Sequence, residues 1–170
     1  MEQKNTQPNQ VSQQTTNPLL KLRQNVVNNV DEHNMEMVAQ VKGVTYINDS
    51  KSLSVDITIS SLELISAKSL LIIGGADKGT DYAKLLKENQ QKIKAIIYLG
   101  VEEENIVKNY KTGSKLFVTA LTVEEAVRVA YWYAKEDDVV LFSPACHAKA
   151  FESYRERGDE FKKAVAQLRG

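Results

Sequence analysis

Ser69-Leu70-Leu71-Ile72-Ile73 is an apolar run closed by Gly74-Gly75. A segment this short and this apolar has no polar face to offer solvent, so it reads as a strand buried on both sides. Such a strand needs helices above and below it, and the chain supplies them in alternation. Strand-like runs at residues 95–99, 115–118 and 139–142 are separated by helix-compatible segments at 81–92, 102–110 and 122–134. A long amphipathic segment follows at 151–168, and Thr122 with Glu125 has the spacing of a capping box. Upstream, Met35, Met37 and Ala39 alternate with other residues, Lys42-Gly43 punctuates, and Val44 to Ile47 resumes, as in a β-hairpin. A helix is predicted over residues 55–65, with Val55, Ile59, Leu62 and Ile65 on one face. The expected fold is α/β: a Rossmann-like three-layer domain with a mostly parallel sheet, helices on both faces and an N-terminal antiparallel hairpin.

The 170 residues suit a single core, predicted over 31–170. Residues 1–18 are rich in Gln, Asn and Thr and read as a disordered tail, because they bury too little to offset their ordering entropy. Residues 19–30 read as a lead-in with spaced apolar side chains. Lys+Arg and Asp+Glu balance at 22 each, which gives no bulk reason to expect nucleic acid or an anionic membrane as a partner. One cysteine cannot form an internal disulfide, which agrees with a cytoplasmic location.

Chemistry is expected where strands end. Tyr46-Ile47 runs into Asn48-Asp49-Ser50-Lys51 and then a helix, an arrangement that gathers anionic ligands on backbone N–H groups. Asp49, Ser50 and Lys51 are therefore expected at the mouth of a site and outside the core. The bland alternative makes Asp49 a helix cap and Lys51 a solvated lysine. Gly74 to Asp81 resembles a phosphate loop, but Thr80-Asp81 stand where a Walker A sequence has Lys-Ser/Thr. It is either a glycine turn into a helix capped by Thr80 or Asp81, or a base from which Lys78 reaches an anion. Cys146-His147 is not read as a nucleophile pair, since neighbours in sequence rarely meet in hydrogen-bonded geometry; a small buried thiol is expected. The run from Arg155 to Glu160 reads as a solvated helix face with internal ion pairs. Trp132 and the Tyr131/Tyr133 pair read as packing. No catalytic residue and no metal ligand is predicted.

In order and spacing, His33-Asn34-Met35-Glu36, Tyr46 to Lys51, Gly74 to Gly79, Ser143-Pro144-Ala145-Cys146 and Glu156 to Phe161 resemble the C-terminal domain of the Mur ligases. The likeness is strongest to the D-glutamate-adding branch. That resemblance implies an amino-acid-binding domain of peptidoglycan precursor synthesis, which closes over ATP and Mg2+ held mainly by another domain. It implies Asp49, with Asn48, at the nucleotide ribose, Lys51 and Lys78 at the carboxylates of D-glutamate or a similar acidic small molecule, and Tyr154 beside that substrate. The UDP- and ATP-binding domains of the family have no counterpart in these residues, so ligation would need a protein that carries them. The alternative is a stand-alone binding or scaffold module derived from the domain.

The departures are specific. Asn34 stands where the family has Arg, Leu53-Ser54 replace a Thr-Asn pair, and His147-Ala148 replace Ala-Ser. Each lost hydrogen bond to a charged ligand costs about 1.5–3 kcal/mol.

Overall fold

A computed structural model describes residues 31–74, 80, 82–100, 116–147 and 151–169. The predicted tail, the lead-in, the helix at 102–110, Lys78 with the rest of its glycine loop, and Ala148 lie outside the described residues. Among the described residues the elements are β1 (Glu36–Val41), β2 (Val44–Asn48), α1 (Val55–Glu63), β3 (Ser69–Gly74), α2 (Ala83–Asn89), β4 (Ile93–Leu99), β5 (Leu116–Ala120), α3 (Val123–Tyr133), β6 (Val139–Phe142) and α4 (Tyr154–Gln167).

The strands form one sheet in the order β1-β2-β6-β3-β4-β5. β1 and β2 are antiparallel, and every other pairing is parallel. The hairpin turn places Lys42 at φ 49° and Gly43 at φ 77°, the doubly left-handed pattern that matches strand twist. Adjacent residues of β3 feed opposite faces. Leu71 and Ile73 pack with Ile59, Leu62, Ile65 and Leu85 beneath α1 and α2. Leu70 and Ile72 pack with Val123, Val127, Phe161 and Val165 beneath α3 and α4. This is the predicted three-layer α/β architecture. No helix among the described residues is long and apolar enough to cross a membrane.

The caps are local and follow from sequence. Thr122 Oγ1 accepts from Glu125 N–H at 3.1 Å, and the Glu125 carboxylate accepts from Leu121 N–H at 2.8 Å. Ser153 and Glu156 repeat the device at α4. Ser54 is the cap of α1, a role that the bland reading gave to Asp49. α2 starts later than predicted, at Ala83, with Tyr82 and not Thr80 at the cap position; Asp81 lies outside the described residues.

Two packing expectations are corrected. Trp132 is 80% exposed and Tyr133 is 48% exposed, because the apolar stripe of α3 runs through Val123, Ala126, Val127 and Ala130. Tyr131 packs against the core from the edge of that stripe, with the Lys42 ammonium 4.7 Å above its ring. The segment Arg155 to Glu160 is not uniformly solvated either: Arg157 and Gly158 are buried.

Candidate functional site

The parallel pairing of β2, β6 and β3 brings their carboxyl ends side by side. Asp49 N–H donates to Phe142 O at 2.8 Å, Ser143 N–H to Ile72 O at 3.1 Å, and Gly74 N–H to Pro144 O at 2.9 Å. The predicted strand ends therefore share one rim. What the rim exposes differs from expectation, because Asp49 and Ser50 are 1% and 0% exposed and belong to the interior.

Asp49 is held from three sides. Its Oδ1 accepts from Met35 N–H at 3.2 Å, and its Oδ2 accepts from the Ser61 and Ser143 hydroxyls, each at 2.7 Å. Thr58 and Ser52 extend this hydroxyl network from Ser143. Asn48 is similarly engaged. Its Oδ1 accepts from Ser50 N–H, so its Nδ2 faces Glu36 Oε2 at 3.1 Å and His33 Nδ1 at 3.0 Å. The ribose contact implied for Asp49 would need a carboxylate oxygen at the surface, and this conformation offers none.

These bonds restrain an unusual backbone. His33 and Met35 adopt φ of 67° and 51°, and Ala145 on the opposite side of the rim adopts 60°. Left-handed backbone at non-glycine residues costs on the order of 1–3 kcal/mol each and persists where its surroundings over-determine it. Asp49 supplies that restraint at Met35, and Asn48 does so at His33.

Burial raises the Asp49 carboxyl above its ordinary value of 3.8, against the opposing effect of its hydrogen bonds. A raised carboxyl means that the native state binds the proton more firmly than the unfolded chain. Its contribution to stability is then greatest below pH 3.8 and falls as pH rises through the native value. Urea unfolding across this range is expected to show that decline in the stability difference between the wild type and Asp49→Asn, where the effects of the other carboxyls cancel. Identical slopes would contradict it.

Lys51 is an accessible cation of this rim. Its N–H donates to His33 O at 3.0 Å, and its side chain, 43% exposed, donates through the ammonium to Asp31 Oδ2 at 2.8 Å. The hydrogen bond to Asp31 holds the Lys51 ammonium above its ordinary value and the Asp31 carboxyl below its own. Tyr154 belongs to the same corner, with its ring edge-on to His33 at 6.0 Å and the Arg155 guanidinium 5.6 Å from its centroid. The structure thus gathers Lys51 and Tyr154 about the His33 loop. Asn34, where the family's arginine would stand, donates to Asp31 at 3.4 Å. Leu53 is half-buried, Cys146 is a buried thiol as expected, and His147 is exposed.

A second charged cluster lies behind His33. Glu32, His33 and Asp159 bring potential ligand atoms within 4.8 Å of one another. The Lys162 ammonium already occupies this corner, 2.5 Å from Glu32 and 3.1 Å from Asp159. Burial opposes its charge, but those hydrogen bonds outweigh it and raise the ammonium overall. With Asn48 Oδ1 accepting from Ser50 N–H, Asn48 Nδ2 is the donor toward His33 Nδ1, an arrangement that puts the ring proton on Nε2, the atom facing the carboxylates. A protonated nitrogen cannot ligate, so these residues do not fit Mg2+.

Sequence reasoning missed Arg157. It is fully buried, and its guanidinium donates to the carbonyls of Ser50, Ser52 and Cys146. Gly158 makes that reach possible. A Cβ there would lie 2.2 Å from His33 Nδ1 and 2.3 Å from Ser50 Oγ, so only glycine lets α4 come this close. A glycine inside an otherwise helical segment was the available signal.

A mostly parallel α/β sheet whose carboxyl rim carries a lysine on a braced loop defines a Rossmann-like α/β domain with its charged groups gathered at the strand ends. The chain belongs to the Mur ligase family: residues 33–146 match its glutamate ligase domain. It is 40% identical over 137 residues to the UDP-N-acetylmuramoylalanine–D-glutamate ligase of Porphyromonas gingivalis, covering 80% of this chain and 30% of that protein. It is 42% identical over 138 residues to the ligase of the same name from Christiangramia forsetii, covering 81% and 31%. The chain spans about 30% of the length of these relatives. The fold is shared with the UDP-N-acetylmuramate-alanine ligase of Thermotoga maritima, with a TM-score of 0.54, 14% identity and coverage of 80% of this chain and 30% of that one. It is also shared with the bifunctional folylpolyglutamate synthase/dihydrofolate synthase of Yersinia pestis, with a TM-score of 0.53, 15% identity and coverage of 82% and 32%.

Proposed function

We propose that the chain is the D-glutamate-binding domain of an ATP-dependent Mur ligase, working in the cytoplasm on peptidoglycan precursors. The observation that carries this reading is Lys51, an accessible ammonium on a loop whose backbone is held on both sides, beside the half-buried Tyr154 ring. Lys51 and Lys78 would take the two carboxylates of the amino acid, since a dianion is recognised by cations at a fixed separation. Tyr154 would cover its carbon chain. Asp31 already sits where one carboxylate would bind, so substrate would replace it on Lys51.

The Thermotoga maritima MurF ligase, which shares this fold, is solved in complex with ADP, and on this reading ATP is the cosubstrate here. Because Asn48 and Asp49 are buried and hydrogen-bonded, they would support the nucleotide edge by holding the His33 loop in place. On this reading the chain binds but does not ligate unless nucleotide-activating and UDP-binding domains act with it. Domain closure would then align the amino acid with the activated carboxylate and exclude water.

Calorimetric titration of D-glutamate tests the reading. Millimolar or tighter binding is expected, weakened by about tenfold or more in Lys51→Ala and Lys78→Ala, the scale of one charged hydrogen bond. A stand-alone scaffold module is the second reading, favoured by the internal use of Asn48 and Asp49. Absence of heat with both D-glutamate and ADP would select it.

A further inference from the structure

The backbone around Lys51 is held more elaborately than a turn into a helix requires. Arg157 Nε and Nη2 both donate to Ser50 O, at 3.1 and 2.7 Å, and Nη2 also donates to Ser52 O at 3.2 Å. Those carbonyls lie immediately before and after Lys51. The same Nη2 reaches Cys146 O at 3.0 Å, one residue beyond the left-handed Ala145. Lys51 N–H is fixed on His33 O, and Ser52 N–H on Asp49 O at 2.9 Å. The peptide groups around Lys51 are thus bound to two separate parts of the chain, α4 and the His33 loop, and to Asp49 within their own turn, while its side chain stays accessible.

We propose that Arg157 is a positioning residue: its buried guanidinium clamps Ser50 and Ser52 and thereby fixes where the Lys51 ammonium stands on the rim. This is a stricter requirement than positive charge. A guanidinium carries several donors in a rigid plane, whereas an ammonium is a point donor on a flexible stem. The three carbonyls converge on Nη2, with Nε as a second donor to Ser50 O; the ammonium of lysine at 157, one bond nearer the backbone and without an Nε, would stop short of that point. The clamp also joins α4, which carries Tyr154, to the Lys51 loop, so the two rim groups move as one body. The significance of Lys51 for substrate rests on the D-glutamate reading above; the clamp itself does not.

The test uses the full chain with its lysines labelled by reductive 13C-dimethylation and read by NMR. In the wild type the Lys51 resonance is expected to be displaced by its pairing with Asp31, and Asp31→Asn assigns it. Lys84, paired with Asp56 at 2.6 Å and outside this rim, is the internal control. Arg157→Lys is expected to return the Lys51 signal to the position of a free lysine while leaving Lys84 displaced. D-glutamate affinity should fall by about tenfold, the scale of one charged hydrogen bond. An unmoved Lys51 signal in a folded variant overturns the proposal. So does joint loss of the Lys51 and Lys84 displacements, which would assign Arg157 to the fold at large. If Arg157→Lys does not fold, the same comparison in Arg157→Gln decides. If the wild type binds no D-glutamate, the ligand reading fails while the lysine signals still judge the clamp.

Discussion

Phe161→Ala is expected to lower the unfolding free energy by about 3–5 kcal/mol, the range for truncating a buried aromatic residue. Phe161 is fully buried on α4 and stacks on Phe142 with centroids 5.1 Å apart and planes 22° from parallel. Its ring belongs to the core layer that includes Leu70, Ile72 and Val140. Deleting it removes transfer energy, leaves a cavity and forfeits the aromatic pair. The loss should reach the rim, because Phe142 immediately precedes Ser143, whose hydroxyl donates to Asp49. Phe161→Leu, which keeps most of the volume, should recover over half of the stability. Denaturant unfolding of both variants checks this. A Phe161→Ala loss below about 1 kcal/mol would mean that α4 contributes little to the core, contrary to its packing.

Gly158→Ala should destabilise the protein even though alanine is intrinsically the better helix former by about 1 kcal/mol. The added methyl would have to share space with His33 Nδ1 and Ser50 Oγ. Neither yields freely: the His33 ring is held by Asn48 and lies edge-on to Tyr154, and Ser50 is buried. The alternative is for α4 to retreat, lengthening the Arg157 bonds to the Ser50, Ser52 and Cys146 carbonyls. Overpacking of this kind costs about 1–3 kcal/mol, and broken bonds to a buried cation add to it. A net loss of about 2–3 kcal/mol is expected in urea unfolding. The double variant with His33→Ala should restore part of it, because it removes one of the groups in the way. A higher midpoint for Gly158→Ala alone would refute the close approach.

Signals in this chain differ in how far they reach along it. The Ser69 to Ile73 run and the helical spacing of Ile59, Leu62 and Ile65 are local patterns, and local patterns dictated the layers. Caps such as Thr122 with Glu125 were legible for the same reason. The rim was legible as a place, because parallel strands must end together, but its occupants were harder to sort. Asp49 and Lys51 are two residues apart and equally polar, yet one is buried and the other exposed. Nothing within that tetrapeptide distinguishes them; Ser61, Ser143 and Met35 do, and they come from other elements.

Sequence by itself determined the alternating α/β order, the hairpin, the Thr122 cap and the family to which the chain belongs, since each is written in spacing and residue type. Only the tertiary structure decided that Asp49 is an internal brace, that Trp132 is exposed, and that Arg157 grips the loop of Lys51 across more than a hundred residues. The physical reason is one of range. Periodicity and propensity act within a few residues, whereas desolvation and hydrogen-bond satisfaction depend on what folding places nearby. An arginine in a charged helical run looks solvated until a glycine beside it lets the helix approach and carbonyls take up its donors.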